Sequence, residues 1–168
     1  MATLGEVFRA LNALKAGGVV SDYALGGATA SLFYTEPSRT YDVDVFVLLP
    51  IGDDSPLAPL RSIYEWAAAQ GYRTDAEHIL IHDVPVQFLP AHNALARDGV
   101  STAVTHDYDG VPVQVMDPEH LAALALQAGG ARRRERAWQL VESGRVDRGA
   151  LKTLLAKHAI GIDIDDER

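Results

Sequence analysis

The chain has 168 residues, of which 48% are hydrophobic and 23% charged, and this composition predicts a folded protein with one buried core. With no cysteine and no apolar stretch of the roughly 20 residues that span a bilayer, we expect neither disulfides nor thiolate zinc sites nor a membrane span, and a cytoplasmic location. The net charge of −8 excludes a generally basic surface that coats nucleic acid.

The first half of the chain predicts alternating helices and strands. Apolar residues at helical spacing favour a first helix that Gly17-Gly18 ends, and the segment that contains Pro37 separates a short helix from the next strand. Ser55 is a candidate cap for the helix that follows. The predicted elements are a helix over 3–15, a strand over 19–25, a short helix over 28–34, a strand over 41–49 and a helix over 56–70.

The second half predicts two hairpins and then three helices. Residues 78–90 and 103–118 both read strand, turn, strand, and both contain VPVQ, which two hairpin arms of one sheet explain better than an internal duplication. Helices are predicted from Pro118, over 131–144 and over 147–160. The order predicts an α+β fold, a mixed sheet flanked by helices. We expect a core over 1–117 and a C-terminal helical segment over 118–168 that packs on it within one compact domain.

Two aspartates interrupt an apolar strand. Because side chains alternate faces along a strand, Asp42 and Asp44 point the same way while Val43 and Val45 point into the core. Two neighbouring carboxylates are costly to bury unless a cation neutralises them, and Mg²⁺ typically binds one or two carboxylates together with substrate phosphates. The alternative is a solvated strand start.

A glycine pair precedes the aspartates. Gly26-Gly27 ends one predicted strand and begins a helix, where glycine lets the backbone approach a ligand closely and the free N–H groups face phosphate oxygens. A tight turn is the alternative for this pair alone. Together with the aspartates, it suggests a phosphate cradle beside a metal-binding strand.

These motifs resemble a known signature. LGGATA over 25–30 and RTYDVDVFV over 39–47, with fourteen residues between Gly27 and Asp42, are similar to the nucleotidyltransferase superfamily with the DNA polymerase beta fold. More narrowly, they resemble the minimal bacterial group that includes the AbiEii-type toxins. Residues 111–130 and the arginine-rich helix after them resemble the C-terminal part of that group, so the resemblance covers most of 20–142.

The resemblance implies transfer of a nucleoside monophosphate from an NTP to an acceptor, with pyrophosphate leaving. Asp42 and Asp44 would be catalytic and bind Mg²⁺ or Mn²⁺. The implied nucleotide site comprises the glycine pair, two threonines and three arginines of the basic helix: Gly26, Gly27, Thr29, Thr40, Arg132, Arg134 and Arg136. Structural threonines and a solvated helix face paired with Glu135 and Glu142 are the alternatives.

One departure from the family pattern leaves the activity open. Gln87 takes the place of the usual third catalytic carboxylate; its amide oxygen can bind a metal weakly, but it has no charge and cannot act as a general base. Asp83 or His82 can substitute only from a predicted turn. The first hypothesis is a magnesium-dependent nucleotidyltransferase whose acceptor, RNA or a small molecule, is unidentified. The second is a degenerate protein of this fold that binds a nucleotide or a partner such as a cognate antitoxin, as a regulatory or toxin–antitoxin component. The third is an α+β domain whose aspartates are incidental.

Overall fold

The computed structural model describes residues 4–35, 42–52 and 59–166, and these ranges contain seven helices and seven strands. The helices are α1 Leu4–Ala16, α2 Gly27–Ser31, α3 Arg61–Ala69, α4 Ala94–Ser101, α5 Pro118–Ala128, α6 Ala131–Glu142 and α7 Arg148–Lys157. The strands are β1 Asp22–Gly26, β2 Val43–Leu48, β3 Arg73–Asp75, β4 His78–Ile81, β5 Val84–Pro90, β6 Val104–Tyr108 and β7 Val111–Val115.

The strands form one mixed sheet in the order β3-β4-β5-β2-β1-β7-β6. Strand β2 pairs antiparallel with β1 and parallel with β5, and β1 pairs parallel with β7. The outer strands β3, β4 and β6 each join by antiparallel pairing. Helices flank this sheet, so the predicted α+β class is confirmed.

The central strand β2 has the alternation that its sequence predicts. Val43, Val45 and Val47 are buried, whereas Asp44 and the other intervening side chains are only partly buried. The valines join a hydrophobic cluster that also includes side chains from the C-terminal helices. Burial of each such aliphatic side chain contributes roughly 1.5–3 kcal/mol, so this face fixes the strand and directs the aspartate to the other face.

Both predicted hairpins form. Strands β4 and β5 are joined through His82 and Asp83, and β6 and β7 through Asp109 and Gly110; all four residues have positive φ. Two-residue loops of this kind match the right-handed twist of the strands that they connect. The two VPVQ segments therefore lie on β5 and β7, on opposite sides of the β2–β1 pair.

Two elements were not predicted. Helix α4 contains Gly99 and consecutive charged residues, which hide its apolar periodicity; its cap is Asn93, whose side-chain oxygen accepts the Ala96 N–H at 2.8 Å. Strand β3 has three residues, all exposed, and forms only because β4 pairs with it.

The bounds of two predicted elements differ from the prediction. Strand β1 begins at Asp22 instead of residue 19, and α2 ends at Ser31 instead of residue 34. The candidate cap Ser55 lies outside the described residues.

The C-terminal helices bring a basic helix to the sheet. Helix α5 starts after Asp117, whose carboxylate accepts the His120 N–H at 2.8 Å, and it packs against α4, α6 and α7. Gly129 and Gly130, both at positive φ, then reverse the chain into α6. In the part of the chain that is described, no helix combines the length and apolar character needed to cross a membrane.

Candidate active site

Three polar or small positions line up across the centre of the sheet. Gly26 on β1 is the register partner of Asp44 on β2, and Asp44 is in turn the partner of Gln87 on β5. Residues that are paired across neighbouring strands present their side chains on the same face. The sheet therefore brings the predicted glycine bend, one predicted carboxylate and the predicted amide together.

A pocket of about 440 Å³ opens beside this row. Its polar lining includes Asp44 and Gln87 from the sheet and Arg133 and Arg136 from α6. The connection between β5 and α4 contributes His92 and Asn93, and α5 contributes Gln127, Leu121 and Leu124. This volume lies within the range of small-molecule sites, which are mostly apolar with a few polar groups that fix orientation.

Glycine is required where α2 meets the second aspartate. Gly27 has φ +58°, and a Cβ added to it would lie 2.1 Å from Oδ2 of Asp44. At Gly26, an added Cβ would lie 2.5 Å from the ring of Phe46. The pair thus allows α2 to begin directly against β2, which places the Asp44 carboxylate next to the helix start. A role of these glycines in holding a triphosphate stays a prediction.

The surroundings of the Asp44 carboxylate disfavour its ionised form. Burial, together with the nearby charge of Asp42, raises its pKa to about 6. The cationic groups of Arg136 and Arg133 act in the opposite direction without cancelling the shift. Burial also lowers the pKa of Arg136. An additional cation at Asp44 would relieve the cost of the two acids.

Asp42 stands immediately before β2. Its side chain is 38% exposed, and its Oδ2 lies 3.0 Å from Nε2 of His78. Its backbone oxygen accepts the hydroxyl of Thr29, which is buried, at 2.9 Å. Thr29 therefore ties α2 to the start of β2, while Asp42 lies close enough to Asp44 to raise the pKa of that residue.

The arginines divide according to the helical repeat. Of the three arginines named from the sequence, Arg136 lies in the pocket lining, and its companion there is Arg133. Arg132 and Arg134 are exposed outside the lining. Residues three apart share a helix face, and residues two apart do not. Thr40 lies outside the described residues.

Neither alternative to the third carboxylate lies in the pocket lining. His82 and Asp83 form the β4–β5 turn, and the exposed Asp83 carboxylate lies 3.6 Å from the Arg73 guanidinium. His78, in contrast, was not predicted as a site residue, because the spacing of the histidines showed no metal-binding pattern. Strand pairing alone brings it to the aspartates.

The donor chemistry of the two aspartates fits a hard divalent cation. Over the described ranges, no cluster of three or more His, Cys, Asp or Glu side chains is arranged to hold a metal ion. Mg²⁺, however, commonly takes one or two carboxylates and completes its shell with water and substrate phosphates. Asp42 and Asp44 supply carboxylate oxygens, and the raised pKa of Asp44 marks a charge that a cation would stabilise.

Comparison with known proteins identifies the fold. No protein-family model and no curated protein matches the sequence. Among solved structures, an antigenic nucleotidyltransferase-like protein from Paracoccidioides brasiliensis matches with a TM-score of 0.59 at 17% identity, over 93% of this chain and 87% of that one. The fold is nucleotidyltransferase-like.

Two structures of the antibiotic-resistance factor ANT(2'')-Ia share this nucleotidyltransferase fold. The solution structure has a TM-score of 0.54 at 13% identity and covers 93% of this chain and 91% of its own. The crystal structure, in complex with adenylyl-2''-tobramycin, has a TM-score of 0.54 at 15% identity and covers 94% and 98%. None of these three structures is described as an AbiEii-type toxin, so the broader resemblance is supported at the level of fold and the narrower one is not.

Proposed function

We propose that the protein transfers a nucleoside monophosphate from a nucleoside triphosphate to a hydroxyl acceptor, with cleavage of the bond between the α- and β-phosphates and release of pyrophosphate. The observation that carries the proposal is the alignment of Gly26, Asp44 and Gln87 across three neighbouring strands. The pocket beside this row is also lined by Arg133 and Arg136. Transfer of this kind depends mainly on positioning and on neutralising phosphate charge. A carboxylate that can hold a cation, two guanidinium groups and a glycine bend in one pocket can supply both.

We assign a role in nucleotide binding to each polar group of the candidate site and to the glycine bend. Arg133 and Arg136 bind the triphosphate, since guanidinium groups pair with phosphate oxygens in a bidentate manner. Asp42 and Asp44 hold Mg²⁺, which when bound neutralises phosphate charge and favours deprotonation of the acceptor hydroxyl. The backbone at Gly27 borders the phosphates, because its lack of a side chain leaves room beside Asp44.

Gln87 favours a second candidate function. It is the register partner of Asp44 at the place where the resemblance implies a third carboxylate, and its amide cannot take up a proton at neutral pH. A protein with this substitution can bind an NTP without transferring it. A nucleotide-binding regulator is therefore the alternative, whereas the toxin role and the antitoxin partner rest only on the sequence resemblance.

The charges of the pocket bear on the acceptor. Tobramycin, adenylylated in the ANT(2'')-Ia complex, is rich in amino groups that are protonated at neutral pH. In the pocket lining of the described residues, Asp44 is the one carboxylate and it faces Arg133 and Arg136. With the arginines assigned to the triphosphate and Asp44 to the cation, the described lining offers no further carboxylate to pair with ammonium groups, so we propose a neutral or anionic acceptor, either a small molecule or an RNA end.

Calorimetry with each NTP, with and without Mg²⁺, tests the nucleotide site. We expect Mg²⁺-dependent binding that Arg136→Ala weakens about tenfold or more, since one charge-assisted phosphate contact contributes roughly 1.5–3 kcal/mol. Arg134→Ala is the matched control, because this exposed arginine of the same helix lies outside the pocket. Absence of binding to every NTP, or equal loss in both variants, contradicts the assignment.

Transfer of label from α-³²P-NTPs separates enzyme from binder. We expect labelling of a neutral or anionic acceptor and none of tobramycin, with label lost in Asp44→Asn. NTP binding without transfer to any acceptor supports the regulatory alternative, and efficient labelling of tobramycin contradicts the charge argument.

A further inference from the structure

An apolar row follows the polar row along the sheet wall of the pocket. Phe46 and Leu89 stand two residues after Asp44 and Gln87, so they share the same face, and they are register partners that both line the pocket. Two residues of a strand span roughly 6.5 Å, which separates the two rows. On the opposite wall, Leu124 of α5 lines the same pocket. An uncharged, apolar part of a ligand fits over this row, whereas a phosphate chain fits the charged groups.

An amide pair lies beyond the apolar row. Asn93 follows β5 and caps α4, whereas Gln127 lies on α5, three residues after Leu124 and therefore on the same helix face. Both amide side chains line the pocket, and Nδ2 of Asn93 lies 3.1 Å from Oε1 of Gln127. Both residues are exposed, so a ligand in the pocket can reach their remaining polar atoms.

Hydrogen bonds fix the direction of both amides. Oδ1 of Asn93 accepts the backbone N–H of Ala96 at 2.8 Å, which leaves Nδ2 of Asn93 as the donor to Oε1 of Gln127. The Nε2 amino group of Gln127 carries two N–H groups and has no acceptor among the described residues. The cap of α4 therefore determines that Gln127 offers N–H donors to a ligand.

We propose that the apolar row binds the nucleobase of the NTP and that Nε2 of Gln127 donates a hydrogen bond to a carbonyl oxygen on the far edge of the base. The assignment rests on the proposed function and deepens it: with the reacting phosphate at Asp44, the nucleoside extends along the apolar row. Uracil and the hypoxanthine of inosine carry a carbonyl oxygen where cytosine and adenine carry an amino group. Because an amino group and the Gln127 N–H are both donors, the site selects NTPs with keto bases.

Calorimetry with the α,β-methylene analogues of four NTPs, each with Mg²⁺, tests this selection. The pairs UTP and CTP, and ITP and ATP, each compare a carbonyl with an amino group on the base. We expect each keto analogue to bind about 3–10-fold more tightly than its amino counterpart, since one neutral hydrogen bond at an exposed position is modest in strength. Equal affinities within each pair, or tighter binding of the CTP and ATP analogues, overturn the assignment.

The variant Gln127→Glu reverses the hydrogen-bonding character of the side chain. Its carboxylate still accepts the Asn93 N–H but offers acceptors to the ligand, so we expect the preference within each pair to reverse. The added negative charge weakens binding of all four analogues and cancels in the ratio of affinities. Gln139→Glu, the same change at an exposed position of α6 outside the pocket lining, is the matched control and keeps the original ratio. If Gln127→Glu also keeps it, the assignment is overturned.

A second variant tests the amide direction without altering Gln127. Asn93→Asp keeps the cap of α4, because a carboxylate oxygen also accepts the Ala96 N–H, but it removes the donor to Oε1 of Gln127. The Gln127 amide then turns its N–H groups toward the new carboxylate and its oxygen toward the pocket. We expect the keto preference to disappear or reverse, and a preference that persists unchanged overturns the assignment.

The same titrations distinguish this assignment from the proposed function. A protein that binds none of the four analogues, with or without Mg²⁺, overturns both. A protein that binds all four with Mg²⁺ but does not discriminate within either pair retains the proposed nucleotide site and overturns the role of Gln127 alone.

Discussion

The charge of the Asp44 carboxylate is present at a cost to stability. Burial and the charge of Asp42 oppose ionisation of Asp44. Three nearby basic side chains favour ionisation but do not cancel this effect, so the pKa of Asp44 stays raised: Arg136, His78 and Arg133. Because its pKa in the folded protein is about 6, the folded state holds this proton more tightly than the unfolded chain does. The metal-free protein therefore carries a strained charge near neutral pH.

Replacement of this charge is predicted to stabilise the metal-free protein. The raised pKa means that stability is lost as pH rises from about 4 through about 6, and a shift of about 2 units corresponds to about 3 kcal/mol. Asp44→Asn removes this loss, so we expect about 1–3 kcal/mol of stabilisation at pH 8 and little difference at pH 4. Urea denaturation across pH measures both values. Asp83→Asn, at an exposed turn, is the control, and parallel pH profiles for Asp44→Asn and the original protein would contradict the prediction.

A substitution at Gly27 tests how much the close approach of α2 to the Asp44 carboxylate depends on the absence of a side chain. Gly27→Ala introduces a Cβ at positive φ and 2.1 Å from Oδ2 of Asp44, so we expect a loss of about 2–4 kcal/mol from backbone strain and overpacking together. Gly71→Ala is the matched control, because Gly71 also has positive φ but an added Cβ meets nothing within 4 Å. Chemical denaturation compares them; equal losses would show that contact with Asp44 contributes nothing.

At the scale of elements, the sequence predicts what a single strand or helix determines. The period of two on β2 places Asp44 on the face opposite the buried valines without knowledge of any partner strand. The approach of His78 to Asp42 depends on the register between β4, β5 and β2, which no local pattern encodes. On α6, residues three apart share a helix face, so the pocket lining contains Arg133 together with Arg136.

Helix α5 begins at a partly buried cap that also contacts the ring of a buried histidine. The Asp117 carboxylate accepts the His120 backbone N–H and lies 2.8 Å from Nδ1 of the same residue. Although burial alone would raise the pKa of Asp117, these hydrogen bonds and the charge of His120 lower it. The capping contribution is therefore present above the unfolded pKa and is lost as pH falls through the folded pKa.

Removal of this cap is predicted to cost more than removal of an exposed one. Asp117→Ala loses the cap and leaves the His120 ring without its partner, so we expect about 2–4 kcal/mol of destabilisation at pH 7, and less under acid conditions. Asp147→Ala, which removes the exposed cap of α7, should cost about 1 kcal/mol. Urea denaturation at pH 7 and near pH 3 measures both, and equal costs would mean that the contact with the His120 ring adds nothing.

For the whole molecule, the arrangement of charge is more informative than its sum. A net charge of −8 disfavours general binding of polyanions, yet α6 places Arg133 and Arg136 in the lining of the candidate site. The same helix contributes Trp138 and Leu140 to the hydrophobic cluster that includes the strands. Packing of the C-terminal helices is thus a condition for assembling the pocket, and we propose that 1–117 and 118–168 form one folding unit.

The two tryptophans test this cooperativity. Trp66 lies on α3 against Tyr72, and Trp138 lies buried on α6 among the C-terminal helices, so single-tryptophan variants report on the two parts separately. Because one hydrophobic cluster joins the parts, we expect each variant to unfold in one transition whose fluorescence midpoint coincides with that of far-ultraviolet circular dichroism. Trp66→Phe leaves Trp138 as the reporter, and Trp138→Phe leaves Trp66. If the Trp138 signal changes at a lower urea concentration than the circular dichroism of the same variant, the helices detach before the sheet unfolds, and the pocket then has a folded core without its arginines.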